Sequence, residues 1–274
     1  MKKSLIALAL VGAFAAPAFA EEAAPAPALT GNIGVVSDYI FRGISQTQGH
    51  PALQGGFDYN HSSGLYVGVW GSNVSWVQIN NYKDNSSLET DFYGGFKGGF
   101  AGDFTYDLGV IKYYYPGTSL GGVTPDTMEV YGSIGWKFIT LKYNHTVSQY
   151  MVGWYGPNME NTRGSGYIDL SANYDLGNGW GVQAHVGHQK IKNFSDASYT
   201  DWKLGVTKDI GFGVVGLAYT DTNANTCGDA VPAYCWNNKN VAKGAALVGE
   251  NRFQPKWGTT HHEIRYRHHQ AVQA

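Results

Sequence analysis

From Gly31 to Gly43 the chain reads G-N-I-G-V-V-S-D-Y-I-F-R-G, and this stretch decides the fold class. Its apolar residues of one parity are Ile33, Val35, Tyr39 and Phe41. Its polar residues of the other parity are Asn32, Asp38 and Arg42. A period of two is typical of a β-strand with two different faces. The core of a water-soluble sandwich would not hold an acid and a base, so we predict a strand over 30–43 that begins one closed sheet.

The composition favours a membrane β-barrel. The chain has 19 Tyr, 8 Trp, 12 Phe and 37 Gly, and only 15% of its residues are charged. Segments of alternating hydrophobicity combined with many aromatic residues are the sequence signature of such barrels. A secreted β-sandwich shares part of this signature and is the alternative. After the N-terminal region there is no run of eighteen apolar residues, so the sequence predicts no transmembrane helix.

Residues 1–20 have the form of a secretory signal peptide. Lys2 and Lys3 precede an apolar run, and Ala18-Phe19-Ala20 has the small-x-small pattern of a cleavage site. We therefore expect export through the periplasm, with residues 21–28 forming a disordered Ala/Pro linker. Loss of both lysines leaves a chain more acidic than the formal net charge of −2, which argues against nucleic acid as a partner.

Further alternating segments follow as far as about residue 220. Longer loops alternate with short turns near 61–64, 101–103, 138, 175–179 and 209–211. Outer-membrane barrels show this alternation because their periplasmic turns are short and their external loops long. Bacterial barrels have even strand numbers, so we predict an all-β, transmembrane, antiparallel up-and-down barrel of about twelve strands. Its closing strand should lie within 243–267, which gives a barrel domain of 29–267 and a tail, 268–274, without assigned structure.

Aromatic residues gather near the predicted strand ends. Beside the short turns lie Tyr66, Phe100, Phe104, Trp136, Tyr174, Trp180 and Phe212. Beside the long loops lie Tyr39, Phe41, Trp76, Tyr113, Tyr114 and Tyr115. We interpret the two sets as girdles at the two membrane interfaces. The strand at 65–76 leaves its facing open, because Tyr66 and Trp70 share one parity while Leu65 and Val67 share the other.

The polar parity supplies a candidate pore lining. A charge on the lipid face costs about 2–4 kcal/mol at the bilayer midplane, so charged residues of this parity should face the lumen. They are Asp38, Arg42, Asp58, Glu89, Asp91, Lys97, Glu129, Lys142, Asp169, Asp201 and Lys203. Rings of charge can set ion selectivity, and the excess of acids over bases favours a weak cation preference. Alternatively, these residues pair with one another and plug a lumen of intermediate width.

Other chemistry is less well supported by the sequence. Cys227 and Cys235 lie in a polar loop of an exported chain, so we expect a disulfide between them. His145 and Ser148 have opposite parity, which argues against a lipase-type dyad. We therefore expect no catalytic residues and no enzyme. We interpret His185 as an ordinary lumen residue.

No metal or cofactor site is expected. The D-x-N-x-N sequence that begins at Asp221 lacks the glycine and glutamate that an EF-hand calcium loop requires at its sixth and twelfth positions. The pairs His261-His262 and His268-His269 lie in the C-terminal tail, where we interpret them as incidental.

Four segments resemble the TorF-type outer-membrane porin family of proteobacteria. They are S-D-Y-I-F-R-G-I-S-Q-T (37–47), P-A-L-Q-G-G-F-D-Y (51–59), G-L-Y-V-G-V-W-G-S-N-V (64–74) and E-T-D-F-Y-G-G-F (89–96). The resemblance runs from about Leu29 to Asp221 and implies an outer-membrane barrel with no catalytic residues to transfer. Such proteins usually end in a short alternating strand that finishes on Phe and is read by the barrel-assembly machinery. Arg252–Ala274 departs from that pattern.

These observations predict a porin of the Gram-negative outer membrane through which small polar solutes or ions diffuse passively. One alternative is a solute-specific channel in which Trp154 and Tyr155 bind the solute. Another is a closed barrel that acts through the external loops 116–125, 148–165 and 221–242. The expected partners are outer-membrane lipid, the solutes and the barrel-assembly machinery, and the oligomeric state is left open.

Overall fold

The computed structural model of the protein describes residues 29–242 and 244–253. Within them, twelve antiparallel strands form one closed barrel. The strands are β1 (Leu29–Val36), β2 (Ala52–Asn60), β3 (Leu65–Asn73), β4 (Leu88–Phe100), β5 (Phe104–Tyr114), β6 (Thr127–Trp136), β7 (Ile139–Thr146), β8 (Gly166–Gly177), β9 (Trp180–Lys190), β10 (Tyr199–Asp209), β11 (Val214–Thr222) and β12 (Gly244–Phe253). Each strand pairs with its sequence neighbour, and β1 also pairs with β12, which closes the sheet. The predicted up-and-down barrel of about twelve strands is confirmed.

Most of the two ends of the chain lies outside the described residues. The predicted signal peptide (1–20), the linker (21–28) and the tail (268–274) lie outside the described residues. The closing strand β12 falls inside the interval in which it was expected. The helical segments among the described residues are the short Trp76–Ile79 and Ser195–Ala197, and none is long and apolar enough to cross a membrane.

The outer surface of the barrel is apolar. Large hydrophobic side chains that alternate along the strands are exposed, among them Val67, Phe92, Leu170 and Leu204. Successive side chains of a strand point to opposite faces, so the other parity lines the interior. On β3 the outward residues are Leu65 and Val67, whereas Tyr66 and Trp70 are buried inside, which decides the facing that the sequence left open.

Glycine and tyrosine face each other across neighbouring strands. Tyr93 pairs with Gly68, and its ring occupies the space that a Cβ atom at Gly68 would need. Tyr131 lies over Gly109 in the same way. A glycine in a strand lets an aromatic ring lie along the sheet. Part of the high Gly and Tyr content therefore serves to fill the barrel interior.

The first strand is shorter than predicted. It ends at Val36, and residues 37–51, which we call the inner loop, fold into the barrel. Within the inner loop Ile40–Phe41 pairs with Ile44–Ser45 as a small hairpin. Its tip residues Arg42 and Gly43 have φ angles of 47° and 77°, and two consecutive positive values are typical of a type I′ turn. The alternation of apolar and polar residues continues through this hairpin, which is why the sequence pattern conceals the turn.

Only one of the two predicted girdles is present. At the short-turn end Phe100, Trp136, Tyr174, Trp180 and Phe212 have exposed side chains, although Tyr66 points inward. The girdle predicted at the long-loop end is wrong. Its members Tyr39, Trp76, Tyr113 and Tyr115 are buried inside the barrel, and Tyr114 is exposed. Trp76 does not extend the strand either, because β3 ends at Asn73 and Trp76 begins a short helix.

Candidate functional site

The inner loop crosses the barrel interior near the long-loop end. The loop connects β1 to β2, but its tip contacts β6, β9 and β10, which are not neighbours of β1 or β2 in the barrel. The Arg42 guanidinium bonds to Glu129 on β6 and Gln189 on β9, and the hydroxyl of Tyr199 on β10 donates to the carbonyl oxygen of Arg42 at 2.8 Å. The hairpin therefore spans the lumen from wall to wall.

Arg42 and Glu129 form a buried ion pair. Arg42 Nη2 lies 2.7 Å from Glu129 Oε2 and Arg42 Nη1 lies 3.2 Å from Glu129 Oε1, a bidentate arrangement. The Arg42 side chain is 5% exposed and that of Glu129 is 0% exposed. The guanidinium also lies between the rings of Phe41 and Tyr167, 4.8 Å and 4.5 Å from their centroids. Burial lowers the pKa of Arg42, but the charge of Glu129, its hydrogen bonds to Arg42 and the nearby Tyr113 and Tyr167 together outweigh burial, so the net pKa shift is upward.

Asp38 holds the inner loop in its fold. Its Oδ1 accepts hydrogen bonds from the hydroxyls of Ser45 and Thr47 and from the backbone N–H of Gly49. The prediction that Asp38 and Arg42 lie on the first strand is wrong, because both lie in the inner loop beyond the end of β1. A Cβ atom at Gly43 would lie 2.5 Å from Cβ of Asp201, so the tip approaches β10 as closely as only glycine allows.

Two further acids of the predicted lining lie side by side on β4. Glu89 accepts one hydrogen bond from Tyr39 and one from Tyr115, each at 2.6 Å. Burial raises the pKa of both tyrosines and the Glu89 charge raises it further, so both remain protonated donors. Asp91 is fully buried, and neither of its carboxylate oxygens has a hydrogen-bond partner among the described residues. Glu89 thus accepts hydrogen bonds from neutral donors, and no cation among the described residues bonds to either acid.

His185 on β9 links one acid on each of the two neighbouring strands. Its Nδ1 lies 2.8 Å from Asp169 Oδ2 on β8, and its Nε2 lies 3.3 Å from Asp201 Oδ2 on β10. The hydroxyl of Tyr167 donates to Asp201 Oδ1 at 3.0 Å. The predicted lumen position of His185 is therefore observed, and Asp169 and Asp201 are part of a cross-strand cluster.

The remaining predicted lining residues lie in a less buried part of the interior. Asp58 accepts a hydrogen bond from Tyr93 at 2.6 Å. Lys97 and Lys142 lie over the rings of Tyr66 and Tyr131, 4.8 Å and 4.0 Å from the centroids. Lys203 pairs with His185 in the register of β9 and β10. Asp58, Lys142 and Lys203 are half-buried and Lys97 is exposed.

A cavity of about 250 Å³ lies between the inner loop and three other long loops, and we call it the vestibule cavity. Its aromatic walls are Phe41, Trp76, Tyr82, Trp154, Tyr234 and Trp236. Its polar side chains are Arg42, Gln46, Asn80 and Gln189. A disulfide joins Cys227 to Cys235 in the loop that carries Tyr234 and Trp236, and Cys235 itself lines the cavity.

Few of the residues that line this cavity were predicted from the sequence. Trp154 was expected to contact a solute and lies in the wall, whereas Tyr155 is exposed and does not line the cavity. The walls come from loops that are distant in sequence, so no local pattern could group them. The burial of Tyr113, in contrast, could be predicted from the sequence, because Tyr113 shares the inward parity of Asp107 and Ile111 on β5.

The structure places His145 and Ser148, the two residues considered for a lipase-type dyad, in separate hydrogen bonds. His145 Nδ1 lies 3.3 Å from the hydroxyl of Tyr143, while the hydroxyl of Ser148 donates to the carbonyl oxygen of Tyr150. Across residues 29–242 and 244–253, no group of three or more His, Cys, Asp or Glu side chains is placed to hold a metal ion.

The sequence profile of a bacterial family described as a protein of unknown function (Gcw_chp) matches residues 20–247. The chain belongs to this family. The match covers the barrel from β1 into β12. The profile does not name a TorF-type family, so that resemblance stays a prediction. No curated protein matches the sequence significantly.

Solved structures similar to this chain include outer-membrane porins. NanC porin has a TM-score of 0.52 and 10% sequence identity, with coverage of 83% of this chain and 100% of NanC. KdgM porin has a TM-score of 0.48 and 5% identity, with coverage of 82% and 98%. Pseudomonas aeruginosa OccD3 has a TM-score of 0.41 and 12% identity, with coverage of 84% and 66%. At such low identity, the likeness to NanC shows that this Gcw_chp chain shares the porin barrel fold.

Proposed function

We propose that this Gcw_chp protein is a channel of the Gram-negative outer membrane through which small polar solutes or ions diffuse passively. The observation that carries the proposal is one closed sheet with an apolar outer surface and a charged interior. A closed barrel satisfies every backbone hydrogen-bonding group within a bilayer, and an apolar outer face suits contact with lipid. The protein would reach that membrane through the periplasm and be inserted by the barrel-assembly machinery.

In this proposal the inner loop is the constriction of the channel. Arg42 neutralises Glu129, whereas no cation in the described part of the chain bonds to Glu89 or Asp91. When they are ionised, these two acids give the narrow region an excess of negative charge, which should favour cations. The predicted lining residues would then act in two groups, with the buried ones at the constriction and Asp58, Lys97, Lys142 and Lys203 nearer to solvent.

A closed barrel that acts through its loops is the second candidate. The dense packing of the inner loop supports it, because Tyr39, Arg42 and Ile44 are each less than one-tenth exposed. The channel requires the inner loop to leave a path or to move. Conductance measurements distinguish the two candidates.

Replacement of the inner loop tests the constriction directly. Val36 and Ala52 are paired in the register of β1 and β2, so an Asn-Gly turn can connect these strands in place of residues 37–51. We expect this variant to give larger single-channel current steps in a planar bilayer than the wild-type protein. Deletion of Gly121 and Gly122, whose surroundings are open space, is the control and should leave the steps unchanged. If the folded loop variant and the wild type are both silent, the channel is excluded.

Asp91→Asn tests the charge preference. Loss of this buried carboxylate should shift the reversal potential in a salt gradient toward weaker cation selectivity. Asp103→Asn is the control, because Asp103 lies in the turn between β4 and β5 and only approaches Lys137 at 3.8 Å. An unchanged potential in Asp91→Asn would remove Asp91 from the proposed lining.

A further inference from the structure

Aromatic side chains form much of the walls of the vestibule cavity. Trp154 lies against Tyr234 with ring centroids 5.3 Å apart, and Trp76 lies against Trp236 at 6.0 Å. These rings come from three separate loops, 74–87, 147–165 and 223–242, so the chain fold brings them together around one space. Aromatic rings offer large apolar faces, while the tyrosine and tryptophan edges carry polar groups. A ligand with an apolar ring face and a polar rim suits such walls.

The charge of the walls indicates a neutral ligand. Arg42 is the only charged residue among the described residues that line the cavity, and its charge is paired with Glu129. A cation could be attracted by the aromatic faces but would find no carboxylate in the walls and would lie near a guanidinium. An anion would meet a guanidinium whose positive charge Glu129 already neutralises.

The polar groups of the walls indicate a ligand that carries hydroxyl groups. Gln46 and Asn80 supply amide groups to the cavity lining, whereas the amide of Gln189 already bonds to Arg42 and to the carbonyl oxygen of Gly166. The indole Nε1 of Trp76 is buried and has no hydrogen-bond acceptor among the described residues. Buried donors are normally bonded, and tryptophan N–H groups usually find a partner. This N–H has no surface exposed to the cavity, so the amide groups are the polar partners that a ligand would meet.

The size of the cavity limits the ligand to about one ring. Its 250 Å³ exceeds the cavity of about 150 Å³ that holds benzene but is smaller than the pockets of about 300–1,000 Å³ that hold drug-sized ligands. We propose that the vestibule cavity binds a neutral pyranose unit of a sugar, stacked on the tryptophan faces. The sugar site rests on the proposed channel only in that the bound sugar would be a solute that approaches the constriction.

The test measures binding without conduction. The full-length protein, folded in a detergent without a sugar headgroup, is titrated by calorimetry with glucose, maltose and cellobiose. Galacturonate and choline serve as the anionic and cationic probes. We expect saturable heat with at least one neutral sugar and weaker binding of both charged probes. No saturable heat with any neutral sugar, or tighter binding of a charged probe, would overturn the proposal.

Variants place the binding in the cavity. Trp236→Ala and Trp154→Ala should each weaken sugar binding about tenfold, which corresponds to about 1.4 kcal/mol. Trp76→Phe keeps a ring but offers a smaller aromatic face and should weaken binding several-fold. Trp202→Ala is the matched control, because Trp202 is exposed on the outside of the barrel. Equal weakening by Trp202→Ala and Trp236→Ala, in variants shown to be folded by heat-modifiable gel mobility, would overturn the assignment.

The channel and the sugar site can fail separately. A protein that binds sugar but conducts no ions, even without the inner loop, excludes the channel and supports the sugar site. A protein that conducts ions but binds no neutral sugar supports the channel and excludes the sugar site.

Discussion

Arg42 is the residue on which the arrangement of the interior depends. It belongs to a loop, yet it bonds to two strands across the lumen and lies between two aromatic rings. A buried ion pair is not in itself stabilising, because desolvation of the two charges offsets their attraction. Its effect is to fix the position of the hairpin, since any other position would leave a buried charge without a partner.

Glu129→Leu should destabilise the protein more than the double change Arg42→Met with Glu129→Leu. The single change leaves the buried guanidinium without its carboxylate and should cost about 3–5 kcal/mol of unfolding free energy, whereas replacing both charges is often nearly neutral. The measurement is urea unfolding in lipid vesicles, followed by tryptophan fluorescence. If both variants lose the same stability, packing rather than the unpaired charge is the cause.

At the scale of elements, the strands build the wall and the loops fill the interior. The inner loop contributes a hairpin that spans the lumen, and the loop of residues 223–242 contributes Tyr234 and Trp236 to the vestibule cavity. The second loop is closed by a disulfide between residues separated by 8 positions. The hydroxyl of Tyr234 also donates to the carbonyl oxygen of Ala197 at 2.7 Å, which ties this loop to the one between β9 and β10.

Cys227→Ser with Cys235→Ser should loosen this loop and leave the barrel intact. Closing so short a loop restricts the unfolded segment by about 2.5 kcal/mol in the chain-entropy description. We expect faster cleavage by external protease within residues 223–242 and an unchanged heat-modifiable gel shift. Wild-type protein under reducing conditions should behave in the same way. Loss of the gel shift in the double variant would show that the disulfide supports the barrel itself.

In the molecule as a whole, the apolar outer face of the sheet is suited to lipid and the polar inner face to water. Leu204 lies near the middle of β10 and is 55% exposed on the outer face, while Thr207 on the same strand is half-buried on the inner parity. The same substitution at the two positions therefore tests which face contacts lipid.

Leu204→Arg should lower the unfolding free energy in lipid vesicles by about 2–4 kcal/mol, because it places a charge in the hydrocarbon region. Thr207→Arg should cost much less, since its guanidinium can reach the polar interior. The measurement is denaturant unfolding of both variants in the same vesicles. Equal costs at the two positions would contradict the assignment of the outer face to lipid.

The class of fold follows from the pattern of residues along the chain. Alternation with a period of two is a local property, so it identified most strands. On β5 and β6 it also indicated which side chains point inward. The alternation of short turns and long loops predicted an up-and-down barrel, and the even strand number required a twelfth strand, observed as β12.

What fills the barrel depends on contacts between residues that are distant in sequence. Arg42, Glu129 and Gln189 are far apart in sequence and meet because closure of the sheet places their strands around one lumen. The alternation that reveals a strand also runs through the inner-loop hairpin, so the pattern could not show that the chain turns inward after Val36. The aromatic residues of the long loops are equally compatible with a membrane interface and with a buried core. Their burial depends on contacts between distant loops, which no local pattern contains.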